Sequence, residues 1–131
     1  MRWSNPGAEA ASEDDAVETL VAAALDELPA VFRDRLGSVA IVVEEEPTDE
    51  QLRSVRAHGL FGLYYGVPRT AWAAEAAPYP SKITIFRGPL TRASRTPQEL
   101  ARRVRDTVHH EIAHHFGISD DRLRELARAR R

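Results

Sequence analysis

The sequence predicts a small α+β domain, on three observations. Two long stretches, 13–28 and 97–116, repeat apolar residues every three to four positions, the period of a helix with one buried face. Between them lie three short runs rich in β-branched and aromatic residues, 39–43, 60–68 and 82–87, of strand length and edged by glycine or proline. A chain of 131 residues, 43% apolar and 29% charged, is the size of one globular unit with a modest core. Residues 12–131 are therefore expected to form a single domain. Residues 1–11 show no periodicity and are expected to be disordered or loosely held.

Composition narrows the function classes. The longest apolar runs are a few residues, so no membrane span is expected. Residues 1–15 are polar, acidic and alanine-rich, unlike a signal peptide, and a cytoplasmic protein is the expectation. There is no cysteine, which fits that compartment and excludes disulfides and thiolate metal sites, so any metal must be held by His, Asp or Glu. The net charge of −2 conceals an asymmetry: residues 1–50 carry 13 acids and 3 bases, and residues 51–131 carry 7 acids and 15 bases. The halves are expected to neutralise each other on folding rather than to offer a nucleic-acid surface.

In order along the chain, Ser12 is the expected N-cap of the first helix, with Glu13, Asp14 and Asp15 placed where acids suit a helix N-terminus. Val17, Leu20, Val21, Ala24, Leu25 and Leu28 then form its core face, and the helix is expected to end near Pro29. Val39–Val43 reads as a buried strand, closed by Glu44, Glu45 and Glu46 as a solvated end. Thr48 or Asp49 is placed to cap a short helix running through Arg56. Leu60–Pro68 reads as a glycine-interrupted strand, 70–80 as a surface loop, and Lys82–Arg87 as an alternating strand ended by Gly88-Pro89.

Thr96-Pro97-Gln98-Glu99 is a helix start, with a cap, a proline at the first helical position and a glutamate to complete a capping box. Leu100, Val104, Val108, Ile112 and Phe116 recur every four residues along the helix that follows. Ile112 lies about 160° round from His110, so the apolar stripe faces away from that histidine. Residues 122–131, with Leu123 and Leu126 on one side, read as a short basic last helix.

The chemistry is concentrated in His109-His110-Glu111-Ile112-Ala113-His114-His115-Phe116-Gly117-Ile118-Ser119-Asp120. It contains H-E-x-x-H at His110, Glu111 and His114. Positions i and i+4 share a helix face, so two imidazoles there can grip one Zn2+ ion. Glu111 lies about 100° further round, where it can stand beside the metal and take a proton from a water. The pattern continues as G-x-x-D through Gly117 and Asp120. A helix continued to Asp120 would carry it about 9 Å along the axis from His114. A glycine in the left-handed conformation stops the helix and reverses the chain, which would return Asp120 as a third ligand and leave one position for water. Asp121 competes for that place; the spacing favours Asp120.

These residues carry a resemblance. GLYYGVPRT (62–70), KITIFRGPL (82–90) and VHHEIAHHFGISDDRL (108–123) resemble the minimal zincin-like metallopeptidase family of actinobacteria and some thermophilic bacteria, over about residues 38–125. The resemblance implies a minimal zincin-like fold, with the active-site helix backed by a small mixed sheet. It also implies a zinc-dependent peptidase, with His110 and His114 as ligands, Asp120 at the third-ligand position and Glu111 as the base; a chain this short has no large cleft, so the expected substrate is a peptide or unfolded protein segment. The methionine turn of larger metzincins is missing, since Met1 is the only methionine. Tyr64, Tyr65, His58 and His115 are the candidates for an oxyanion donor, each read first as a core or surface residue, and His109 and His115 as bystanders to the metal. The alternative function is a zinc-retaining binding or regulatory module with little turnover.

Overall fold

The computed structural model describes residues 13–37, 39–55, 60–66 and 81–129. In chain order they form α1 (Glu13–Asp26), α2 (Ala30–Leu36), β1 (Ala40–Glu44), α3 (Asp49–Val55), β2 (Gly62–Tyr65), β3 (Lys82–Phe86), α4 (Arg87–Ala93), α5 (Pro97–Phe116) and α6 (Asp120–Ala129). The expectations for residues 1–12, His58, the end of the 60–68 strand and the 70–80 loop lie outside the described residues. The mixed α+β class is as expected, with one three-stranded sheet.

The sheet has the order β1-β3-β2. β1 runs parallel to β3, with Ile41 opposite Ile83 and Val43 opposite Ile85. β2 is antiparallel to β3, with Tyr64 opposite Ile83 and Gly62 opposite Ile85. Ile83, Thr84, Ile85 and Phe86 are all buried, so the central strand is covered on both faces although its sequence alternates.

α5 is the spine. It packs against α1, β2, β3, α4 and α6. Val104, Val108 and Ile112 from its apolar stripe are fully buried and meet Val17, Val21, Ala24 and Leu28 of the first helix and its C-terminal exit. Leu20, Leu25, Leu100 and Phe116 are only partly buried at the margin of this cluster. His109 Nε2 lies 2.9 Å from the carbonyl oxygen of Ala24, tying α5 to the last turns of α1.

Two helices depart from the sequence expectation. α2 follows Pro29 directly, where only a break was expected; it buries no residue fully, so it carries little amphipathic signal. α4 begins immediately after β3, with Gly88 and Pro89 inside its first turn rather than marking a loop. Proline is tolerated there because the first-turn N–H groups have no intrahelical acceptor. The N–H of Gly88 donates to the carbonyl of Glu45 at 2.9 Å.

The three glutamates at the end of β1 are not simply solvated. Glu44 faces Lys82 at 3.9 Å, Glu45 pairs with Arg87, and Glu46 takes two hydrogen bonds from Arg92 at 2.6 and 2.9 Å. These pairs join the acidic first half of the chain to the basic second half, as the charge asymmetry predicts. α3 is capped by Thr48, whose Oγ1 accepts from the N–H of Gln51 at 3.0 Å while Gln51 Oε1 accepts from Thr48 N–H at 2.8 Å.

Candidate functional site

The capped start of α5 fixes where its later residues point. Thr96 Oγ1 accepts from the N–H of Glu99 at 3.0 Å, and Pro97 occupies the first turn. The Glu99 carboxylate reaches back one residue beyond the cap, to the N–H of Arg95 at 3.2 Å, and also accepts from Arg103 at 2.9 Å. From there twenty residues run without a break, and His110 and His114 emerge exposed on the same side.

Gly117 ends the helix as the motif predicts. It adopts φ 68° and ψ 31°, its N–H bonds to the carbonyl of His114 at 3.0 Å, and the N–H of Ile118 bonds to that of Ala113 at 3.0 Å. This closing pair satisfies the last carbonyls and reverses the chain. Ser119 Oγ then accepts from the N–H of Arg122 at 3.0 Å, capping α6 and placing Asp120 in its first turn, where the helix dipole favours a negative charge.

The reversal brings Asp120 back to His110. Its Oδ2 and Oδ1 lie 2.9 and 3.0 Å from His110 Nδ1. That hydrogen bond holds the His110 pKa above the usual histidine value, against a smaller opposing effect of desolvation. His110, His114 and Asp120 line one open depression together with Ile118, Ser119 and Asp121. Asp121 turns elsewhere, to an ion pair with Arg124.

Among the described residues no three His, Asp or Glu side chains converge as a coordination set, and Asp120 is engaged on the Nδ1 of His110. The donor chemistry nevertheless fits Zn2+: two imidazoles one helical turn apart and one carboxylate share a single depression, and no thiolate is needed. Nδ1 of His110 faces the carboxylate, which leaves its Nε2 for a metal.

Glu111 lies on the inward flank of this face and is only 6% exposed. Burial pushes its carboxyl pKa up; nearby His110 and a hydrogen bond from the Tyr64 backbone act in the other direction. Its Oε1 is 3.9 Å from His114 Nδ1. Glu111 lines a second depression with Phe61, Gly62, Thr107, His110 and Asp120, so its carboxyl and the two exposed histidines open onto adjoining spaces. Gly62 permits this approach. A Cβ there would lie 2.7 Å from Thr107 Cγ2 and 3.3 Å from Glu111 Cγ, closer than packed carbons tolerate.

Tyr64 is the contact that sequence reasoning left undetermined. Its hydroxyl lies 2.9 Å from His115 Nδ1 and donates to Ser81 Oγ at 2.9 Å, and its ring sits 4.9 Å from that of His114. His115 is 2% exposed and Tyr64 8% exposed. Both are thus internal groups bonded to each other, while Tyr65 is 66% exposed. The role of the Gly62–Thr107–Glu111 contact carried no signal in the sequence beyond the glycine itself.

A sequence model of zincin-like metallopeptidases matches residues 36–129, most of the chain. The chain belongs to the zincin-like metallopeptidase family. Membership implies zinc binding and a hydrolase acting on peptides. No curated protein matches the sequence. No described helix of this family member is long and apolar enough to cross a membrane.

Proposed function

We propose that this zincin-like protein is a zinc-dependent peptidase in which His110, His114 and Asp120 hold the metal and Glu111 is the general base. The observation that carries the reading is the pairing of two exposed imidazoles on one face of α5 with a buried carboxyl beside them, at 3.9 Å from His114. Zinc, when bound, lowers the pKa of a water to about 7 and polarises a carbonyl.

The chain's own residues do the rest. Glu111 accepts a proton from the attacking water on its Oε atoms and passes it to the leaving amine. A carboxyl whose pKa is raised by burial is suited to both directions of transfer near neutral pH. The hydrogen bond from the Tyr64 backbone and the close approach of Gly62 hold that carboxyl in place. Among the described residues β2 is an edge of the sheet, beside the depression onto which Glu111 opens, and an extended peptide laid along it would be held through its backbone.

The His110–Asp120 hydrogen bond supports a second arrangement of the same site. Asp120 would then stay on Nδ1 and orient the ring, with Nε2 turned to the metal and Asp120 outside the coordination set.

The experiment is a zinc assay and a peptide-library digest on the wild type and on Glu111→Gln. Under the peptidase reading both proteins retain zinc and only the wild type cleaves. Zinc retention with no cleavage by the wild type would favour a zinc-holding binding or regulatory module instead.

A further inference from the structure

β2 lies along α5 in step with its turns. Two residues of a strand advance about 6.6–6.8 Å and one turn of helix about 5.4 Å, so successive inward positions of β2 meet successive turns of α5. Gly62 comes against Thr107 and Glu111. At the next inward position Tyr64 meets two neighbouring histidines, its ring 4.9 Å from that of His114 and 5.5 Å from that of His115.

The two proposed imidazole ligands are held in different ways. His110 is oriented by a carboxylate, through the contact of Asp120 with its Nδ1. Metal-binding histidines are ordinarily turned by such a bond on the nitrogen that the metal does not use. Among the described residues neither ring nitrogen of His114 makes a hydrogen bond, and the Glu111 carboxylate stands 3.9 Å from its Nδ1, beyond hydrogen-bond reach. The His114 side chain is 55% exposed, so its outer side is open to solvent. The Tyr64 ring, tilted 41° to the imidazole, closes the inner side. Tyr64 is itself fixed: it is buried, it pairs with Ile83 in the sheet, and its hydroxyl is bonded to His115 Nδ1 and Ser81 Oγ.

We infer that Tyr64 is the positioning residue of His114, its ring face setting the orientation in which that imidazole meets the metal. Aromatic packing here does what a hydrogen bond does at His110. The backbone N–H of the same tyrosine serves Glu111, so one residue of β2 aligns both a ligand and the proton acceptor. The inference rests on the zinc-holding part of the proposed function and not on cleavage.

The test is zinc affinity by chelator competition on the wild type, Tyr64→Phe, Tyr64→Leu and Val17→Ala. Phenylalanine keeps the ring and binds zinc within about twofold of wild type. Leucine keeps the backbone N–H but not the ring face, and affinity falls about three- to tenfold, the size of one aromatic contact that fixes a side chain. Val17→Ala truncates the core about 10 Å along α1 from the carbonyl that His109 meets, so it lowers the melting temperature without changing zinc affinity. The visible spectrum of the Co2+-loaded protein, which reports ligand geometry, is kept in Tyr64→Phe and altered in Tyr64→Leu. In the metal-free wild type, the nuclear magnetic resonance signals of the His114 ring protons are displaced by the Tyr64 ring current. Their appearance at random-coil positions overturns the inference whether or not the leucine variant folds. A folded Tyr64→Leu with wild-type zinc affinity and cobalt spectrum also overturns it, as does an equal loss in Tyr64→Phe, which would assign the effect to the hydroxyl. Cleavage that is indifferent to the ring keeps the peptidase and removes this role for Tyr64. Ring-dependent zinc binding without cleavage keeps the role and removes the peptidase, and a wild type that holds no zinc removes both.

Discussion

Asp120 Oδ2 lies 2.9 Å from Nδ1 of His110, across a chain reversal that Gly117 makes possible. The carboxylate can serve zinc either directly, by swinging off that nitrogen, or from behind the ring. Substitution separates the two. As a direct ligand, Asp120→Ala and Asp120→Asn both weaken zinc retention by more than the ~10–100-fold that loss of an outer partner costs. As an orienting residue, Asp120→Asn retains most of the affinity, because an amide oxygen still accepts from Nδ1–H. Asp121→Ala, which removes only the Arg124 ion pair, leaves retention close to wild type. Competition with a chelator followed by metal analysis reads all three, and metal loss from Asp121→Ala alone would reverse the assignment.

Gly62→Ala is expected to damage the site without touching a proposed ligand. Its added methyl would press on Thr107 Cγ2 and Glu111 Cγ, so the variant should lose stability by about 1–3 kcal/mol and lose cleavage more than zinc. Thr107→Ser removes the nearer of the two atoms and keeps the hydroxyl that donates to the Arg103 carbonyl at 2.7 Å. The double variant should therefore recover part of what Gly62→Ala loses. Simple addition of the two effects, in thermal melts and in turnover, would count against the contact.

Much of this was legible because local chemistry and tertiary packing agree. Along α5 the four-residue spacing of Val104, Val108 and Ile112 coincides with the fully buried side, and Thr96, Pro97 and Gly117 sit at its ends as caps. α2 and α4 were missed for the opposite reason. Each is seven residues long, one follows a proline and the other contains one, and neither has enough turns to show a period. The H-E-x-x-H and G-x-x-D spacings placed the four candidate residues His110, Glu111, His114 and Asp120 in one neighbourhood. They did not foretell that Asp120 would rest on His110, since that depends on the rotamers of two side chains. Nor could they reveal the pairing of Tyr64 with His115, whose partners are 51 residues apart in sequence.

The start of α5 gives a pH dependence with a definite sign. The Arg103 side chain, and then the N–H of Arg95, hold the Glu99 carboxyl below its ordinary pKa. A lowered folded-state value means that the stabilisation is fully present above the ordinary glutamate range. It is lost as pH falls through the lowered value. Denaturant melts of wild type and Glu99→Gln should differ most near neutral pH and converge in acid. A difference that widens on acidification would contradict these contacts.

Tyr64→Phe tests whether the tyrosine acts on the substrate or on the fold. The hydroxyl points to His115 Nδ1 and Ser81 Oγ, both at 2.9 Å, rather than into the depression that Glu111 lines. Phenylalanine keeps the ring against His114 and the backbone N–H that serves Glu111, and removes only the hydroxyl contacts. The expected result is a loss of about 1–3 kcal/mol in stability, from a buried polar pair broken on one side. Zinc retention and the pH profile of cleavage should stay close to wild type at temperatures where the variant is folded. An oxyanion donor would behave in the reverse way: removing one typically costs about 10²–10³ in kcat. Such a drop in Tyr64→Phe, with unchanged stability, would mean that the side chain turns toward the substrate when peptide binds and that its bond to His115 is a resting arrangement.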